Sequence, residues 1–193
     1  MSQNSNLRKD YQYKDIPTIL LESRIINLVG EVNEYMSYQI VSSLLVLEEQ
    51  SDKPIQMFIN SPGGSIHDGL AIIDTMNFIK APVYTYAMGY AASMGAAILS
   101  AGDKSHRYAL PNASVMIHQA SSGTSGNIQD QRVSLQYTES LNEKLADIIA
   151  KNCGKTKEEY IADTHRDKWM FAEDALAYGI IDEIVANTEE SNK

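Results

Sequence analysis

Short apolar stretches with the period of a strand alternate with longer ones with the period of a helix along most of this chain, and that alternation fixes the fold class. Ile25-Ile26-Asn27-Leu28-Val29 reads as a strand closed by Gly30. Tyr35 to Glu49 carries Ile40, Val41, Leu44, Leu45 and Leu47 at helical spacing and is broken by Ser51-Asp52-Lys53-Pro54. Ile55 to Ile59 is the next strand, Asp68 to Lys80 the next helix, and Pro82 stops it. Val83 to Ala87 alternates as a strand, and Ala91 to Ala101 reads as a compact apolar helix. His106 to Leu110 and Val115 to His118 read as strands split by the Pro111-Asn112 turn. Asn127 to Asn152 is a long helix ended at Cys153-Gly154; Thr156 with Glu159 has the pattern of a capping box. Ala172 to Tyr178 is a short helix closed by Gly179, and Ile180 to Val185 a last strand. Strand and helix in turn mean an α/β fold.

The chain has 193 residues, 44% of them hydrophobic, which suits one domain with a sizeable core. Residues 16–187 are taken as that domain, with a polar, loosely ordered segment at 1–15 and a polar tail at 188–193. The formal net charge is −9 and no dense Lys/Arg run occurs, which argues against a nucleic-acid surface. The longest apolar runs are too short to span a bilayer, so no membrane partner is expected. Cys153 is the one cysteine, no signal-peptide pattern opens the chain, and a cytoplasmic location follows as the economical reading. His67, His106, His118 and His165 are scattered, without the spacing of a metal site.

Chemistry concentrates at Gly89-Tyr90-Ala91-Ala92-Ser93-Met94-Gly95-Ala96-Ala97. A serine at a strand-to-helix junction, among small residues, has room for a substrate and free helix N-terminal N–H groups beside it. Such a nucleophile needs a base. His118 ends the apolar strand Val115 to Ile117 and is presented from a rigid element, although a lone histidine is more often simply a packed or solvated side chain. His67 competes from beside the Gly63-Gly64 turn, and His106 lies in a charged, solvated-looking stretch. Gly63-Gly64 follows a strand and precedes a helix, so its N–H groups could meet an oxyanion, or it could be a tight turn and no more. It is no phosphate-binding fingerprint. The chain has 25 acidic residues, and Asp163 and Asp167, bracketing Thr164-His165-Arg166, are the pair singled out as partners for a histidine.

Taken together, several segments closely resemble the proteolytic subunit family of the Clp proteases. The carriers are Ile59 to Gly64, Asp74 to Ile79, Gly89 to Ala97, Arg107 to Ala113, Val115 to Gln119, Asp163 to Asp167 and Glu173 to Asp182. The resemblance runs from about Ile25 to Val185. It implies a serine endopeptidase with Ser93 as nucleophile, His118 as general base and Asp167 as the acid, and it puts the oxyanion hole at the backbone N–H groups of Gly64 and Met94. It implies a crotonase-like superhelix of strand–helix units with a projecting handle over about 119–153. The implied assembly is two stacked seven-membered rings, capped by an AAA+ unfoldase that uses the ATP and feeds in unfolded polypeptide; no cofactor is expected on this chain.

The sequence also departs from that family. Met1 to Asp15 lacks its usual apolar start and Gly-Glu-Arg stretch; His165 stands where an acid is usual. Ala120 replaces the usual proline after His-Gln, and Ser121-Ser122-Gly123 replaces a Gly-Gly-rich loop. These departures suit a paralogue that works in mixed rings. Two readings of other classes stand beside a peptidase: a subunit silent alone that contributes wall to a mixed barrel, and a crotonase-type acyl-CoA enzyme, which needs no serine nucleophile.

Overall fold

The computed structural model describes residues 14–121 and 123–187. Most of the expected polar N-terminal segment, and the tail from 188 on, lie outside the described residues. The described chain begins in order: Asp15 caps helix α1 (Ile16–Glu22), its carboxylate accepting from the Thr18 N–H at 2.9 Å, with Pro17 in the first turn. The strand–helix alternation then follows as β1 (Ile25–Val29), α2 (Glu34–Gln50), β2 (Ile55–Ser61), α3 (Ile66–Phe78), β3 (Val83–Ala92) and α4 (Met94–Ser100). The second half is β4 (Arg107–Ala109), β5 (Ser114–Ile117), α5 (Ile128–Cys153), α6 (Lys157–Asp163), β6 (Lys168–Phe171), α7 (Ala172–Tyr178) and β7 (Glu183–Ile184).

One mostly parallel sheet runs in the order β1-β2-β3-β4-β7. β3 is the long strand that organises it. Along one edge it pairs with β2; along the other it pairs first with β4, through Thr85 to Ala87, and then with β5, through Tyr90 to Ala92. Gly89, at φ 74°, lies between those two stretches. β6 then adds antiparallel to β5. Helix α4 is buried along its whole length, so it sits inside the core with Leu44, Met57, Ile73 and Ile180 rather than on a surface.

Two sequence expectations are corrected here. The helix expected from Ala91 begins only at Met94, because Ala87 to Ala92 continues β3 and its backbone groups are taken by β2 and β5. Alanine favours helix by propensity, and strand pairing overrides it. The last strand is two residues long, not six: Gly179 turns left-handed at φ 90°, and the buried Ile180 and Ile181 pack into the core before pairing begins.

Capping groups mark the joints. Arg24, itself at φ 60°, donates to the carbonyls of Leu47, Ser51, Lys53 and Pro54 and closes the end of α2 and the turn after it. Thr156 and Glu159 form the expected reciprocal capping box at α6. Helix α5 is 26 residues long, but its buried residues are Ala146, Ile149 and Ala150, all near its C-terminal end. Its first half stands off the core, as expected for a projecting handle.

Candidate active site

The strand registers bring the three side chains together. β3 and β5 run parallel with Ala92 beside Met116, and the Ser93 N–H donates to the Met116 carbonyl at 2.8 Å. β5 and β6 run antiparallel with Ile117 beside Lys168. One step past that pair, His118 and Asp167 leave their strands facing each other. Ser93, His118 and Asp167 thus lie one residue beyond the ends of three neighbouring strands.

The distances follow from that register. His118 Nε2 lies 2.8 Å from Ser93 Oγ, and His118 Nδ1 lies 3.5 Å from Asp167 Oδ1. The serine and histidine are in hydrogen-bond contact; the carboxylate is close enough to orient the ring but is not tightly bonded to it. The Asp167 side chain is 61% exposed in the lone protomer, whereas that of His118 is 25% exposed.

Ser93 sits in a strained turn, at φ 54° and ψ −120° between β3 and α4. It occupies the cap position of α4, yet its hydroxyl makes no capping bond and is left to the histidine. A non-glycine residue at positive φ costs energy that surrounding structure must hold in place, and here the backbone bonds from Ser93 N–H to Met116 and from Ala97 N–H to the Ser93 carbonyl do so. A strand, a sharp turn at the nucleophile and a helix is the elbow arrangement that exposes a serine.

The Gly63-Gly64 turn packs against this elbow. A Cβ on Gly63 would fall 2.7 Å from both the Ala92 carbonyl oxygen and the Met94 nitrogen. The loop is held from behind by Val32, whose N–H donates to the Gly63 carbonyl and whose carbonyl accepts from the Ser65 N–H, both at 2.8 Å. Those two bonds straddle Gly64 without using its N–H. Among the described residues neither Gly64 N–H nor Met94 N–H has a hydrogen-bond partner, so both remain free to meet a developing oxyanion.

A pocket of about 260 Å³ opens beside Ser93. Ala97, Met116, Leu145, Ile149 and Tyr160 make its apolar wall, and His118 and Asn142 supply polar groups.

The other candidates lie elsewhere. His67 bonds through Nε2 to the Tyr137 hydroxyl at 2.7 Å, on the handle helix, not to Ser93. His106 is less solvated than its charged neighbours suggested: its ring stacks on Tyr84 at 4.0 Å. His165 is exposed. Asp163 pairs with Lys168 at 2.8 Å rather than with a histidine, which leaves Asp167 beside His118. Burial pushes the Cys153 thiol up to about 11, so it is no thiolate nucleophile at neutral pH. Among the described residues no group of His, Cys, Asp and Glu has the arrangement of a metal site, and no helix is long and apolar enough to cross a membrane. Sequence reasoning missed Asn142, which lines the pocket from α5 and accepts from the Ala120 N–H at 2.8 Å; its one signal is a polar residue on the helix face of Leu145, Ala146 and Ile149, which by itself names no role.

Comparison with known proteins agrees in kind. The family model described as Clp protease matches residues 8–188. The chain is 47% identical over 194 residues to the ATP-dependent Clp protease proteolytic subunit of Streptococcus gordonii, covering 99% of this chain and 97% of that protein. It is 46% identical over 192 residues to the subunit of the same description from Streptococcus pyogenes serotype M1, covering 98% and 96%.

Proposed function

The chain belongs to the Clp protease family, and on that premise we propose that Ser93, His118 and Asp167 are its nucleophile, general base and orienting acid. It is a serine peptidase subunit of the kind its relatives are named for. The observation that carries the residue assignment is the 2.8 Å contact between His118 Nε2 and Ser93 Oγ, at an elbow flanked by two N–H groups without partners among the described residues.

The steps follow from the geometry. Ser93 Oγ attacks the scissile carbonyl carbon while His118 Nε2 takes the hydroxyl proton. The carbonyl oxygen becomes an oxyanion between the N–H groups of Gly64 and Met94. Collapse breaks the C–N bond, and the amine leaves with the proton from His118. Water, deprotonated by the same nitrogen, then attacks the acyl ester, and the carboxylic acid departs from Ser93. Asp167 keeps the His118 ring in the tautomer with its proton on Nδ1 and stabilises the imidazolium. Acyl transfer of this kind is complete with these groups and water, so this chain is assigned no cofactor; ATP is assigned to the partner.

The relatives' description as subunits of an ATP-dependent protease supports assembly with a Clp-type unfoldase that threads unfolded polypeptide. Stacked heptameric rings in the cytoplasm, of this chain alone or mixed with a paralogue, complete the proposal. Packing that covers the exposed Asp167 would shorten its contact with His118 and raise activity over the lone subunit. Hydrolysis of a short fluorogenic peptide ending in a large apolar residue tests the reading, with Ser93→Ala as control. The proposal expects the variant to lose the activity; equal rates in the two proteins would reject it.

A further inference from the structure

The segment that leaves β5 at His118 runs along the pocket without turn or bend as far as Ser121 and, among the described residues, has no partner strand. Beyond His118, whose ring meets Ser93 and Asp167, it is held by Asn142 Oδ1, which reaches from α5 and accepts the Ala120 N–H at 2.8 Å. The donor being an N–H fixes which end of the carboxamide faces it. Both residues are half-buried, and both line the pocket beside Ser93.

In a straight segment successive N–H groups point to opposite sides. With the Ala120 N–H turned to Asn142, those of Gln119 and Ser121 fall on the other side, and among the described residues neither has a partner. A straight segment with its backbone groups unused on one side, next to the nucleophile, is a template for an extended peptide.

We propose that Asn142 is a positioning residue for substrate: it holds residues 118–121 straight, so that the backbone of an extended peptide can pair with Gln119 and Ser121 as its scissile bond reaches Ser93. The handle helix thereby sets the ground-state binding of the peptide without touching the reacting atoms. The bond needs an N–H at position 120, which alanine has and proline lacks. Proline would instead stiffen the segment through its own fixed φ, near −65°. The proposal rests on the peptidase reading, and its test separates the two.

The variants are Asn142→Leu, which deletes the acceptor at similar size, Asn142→Asp, which keeps an acceptor oxygen, and Asn142→Leu with Ala120→Pro. The readouts are kcat and KM for a peptide of six or so residues, and the rate at which a small organophosphorus fluoridate phosphonylates Ser93. That reagent has no peptide backbone to align. Sedimentation of each variant verifies that assembly is unchanged, and hydrogen exchange follows the Ala120 amide. Losing one such bond should raise KM about tenfold in Asn142→Leu, with kcat and phosphonylation within about twofold. Exchange at Ala120 should accelerate in that variant and stay slow in Asn142→Asp. The added proline should bring KM back to within about threefold of wild type, because a stiff segment needs no anchor.

An unchanged KM in Asn142→Leu overturns the proposal, as does a KM that proline does not restore. Phosphonylation slowed in step with peptide cleavage also overturns it, by placing the effect on the nucleophile. A wild-type protein that is neither phosphonylated at Ser93 nor able to cleave peptide overturns the peptidase reading itself, and the positioning role with it, even if the Ala120 amide is protected.

Discussion

Gly63 and Ser93 pack backbone to elbow: a Cβ built on Gly63 would lie 2.7 Å from the Ser93 Cβ, and Gly63 itself stands at φ 87°. Both facts exclude a side chain there. Gly64 is no freer, since its Cβ would run into the Val32 carbonyl. Gly63→Ala therefore forces the loop away from Met94, separating the two oxyanion N–H groups and straining a positive φ. Peptide hydrolysis should fall by about two orders of magnitude or more, the scale of losing an oxyanion donor. Stability should drop by roughly 1–3 kcal/mol, the range for a residue forced into a strained backbone. Steady-state kinetics with a denaturant melt measures both; a variant with wild-type kcat would show that this loop is no part of the oxyanion hole.

Asp167 acts on His118 at one remove. Asp167→Asn should leave the Ser93–His118 bond and the fold intact, because Asp167 is exposed and its backbone position is set by the β5–β6 pairing. An amide can donate to Nδ1 and so favour the wrong tautomer. The expected loss in kcat is about 10²- to 10⁴-fold with KM little changed. A loss below threefold would remove Asp167 from the triad.

The adjacency of these residues was not legible from spacing. It arises from two registers of opposite sense, parallel between β3 and β5 and antiparallel between β5 and β6, and both are set by contacts far apart in sequence. Resemblance to a known family supplied the assignment of Asp167; residue chemistry alone left Asp163 equally open. What was legible is local. The Thr156–Glu159 box, Gly179 after α7 and the α7 limits stand as read, because caps and left-handed glycines are written into neighbouring residues. Strand β6 went unread because its exposed side chains are Trp169 and Phe171 while Lys168 is half-covered, the reverse of the usual alternation. Helix α1 also went unread, although Asp15 with Pro17 was a usable start signal.

Arg107 and Asp182 hold β4 to the residue that leads into β7. The guanidinium is 6% exposed and meets the carboxylate through Nε at 2.8 Å and Nη2 at 2.5 Å, while Nη1 donates to the Asn152 carbonyl at 2.9 Å. Removing one partner strands the other charge in the interior. Asp182→Ala should therefore cost about 3 kcal/mol. Replacing both residues with apolar ones of similar volume should cost less than the single change, which a double-mutant cycle by urea unfolding would reveal. Additive losses would mean that the pair is not coupled.

Stability should form a plateau that ends on both sides of neutral pH for different reasons. Burial pushes the Asp182 carboxyl up, but hydrogen bonds from the Arg107 side chain and backbone outweigh it, and the carboxyl sits below its ordinary range. The Lys168 hydrogen bond likewise lowers Asp163. A carboxyl whose value is lower in the fold than in the open chain stabilises fully above its ordinary pKa of about 3.9, and that contribution disappears as pH falls through the folded value. On the alkaline side burial raises Cys153 to about 11, and burial, with nearby tyrosines and carboxylates, raises Tyr108 to about 12. Groups raised in the fold stabilise fully below their ordinary values and cease to as pH rises through the folded ones. The melting temperature should thus be level from about pH 5 to 8, fall below about pH 4, and fall again above about pH 9. Asp182→Asn should flatten the acid limb and Cys153→Ala the onset of the alkaline one. Thermal melts of the three proteins across pH 3 to 11 measure this, and acid limbs that superimpose for wild type and Asp182→Asn would remove Asp182 as a source of the acid dependence.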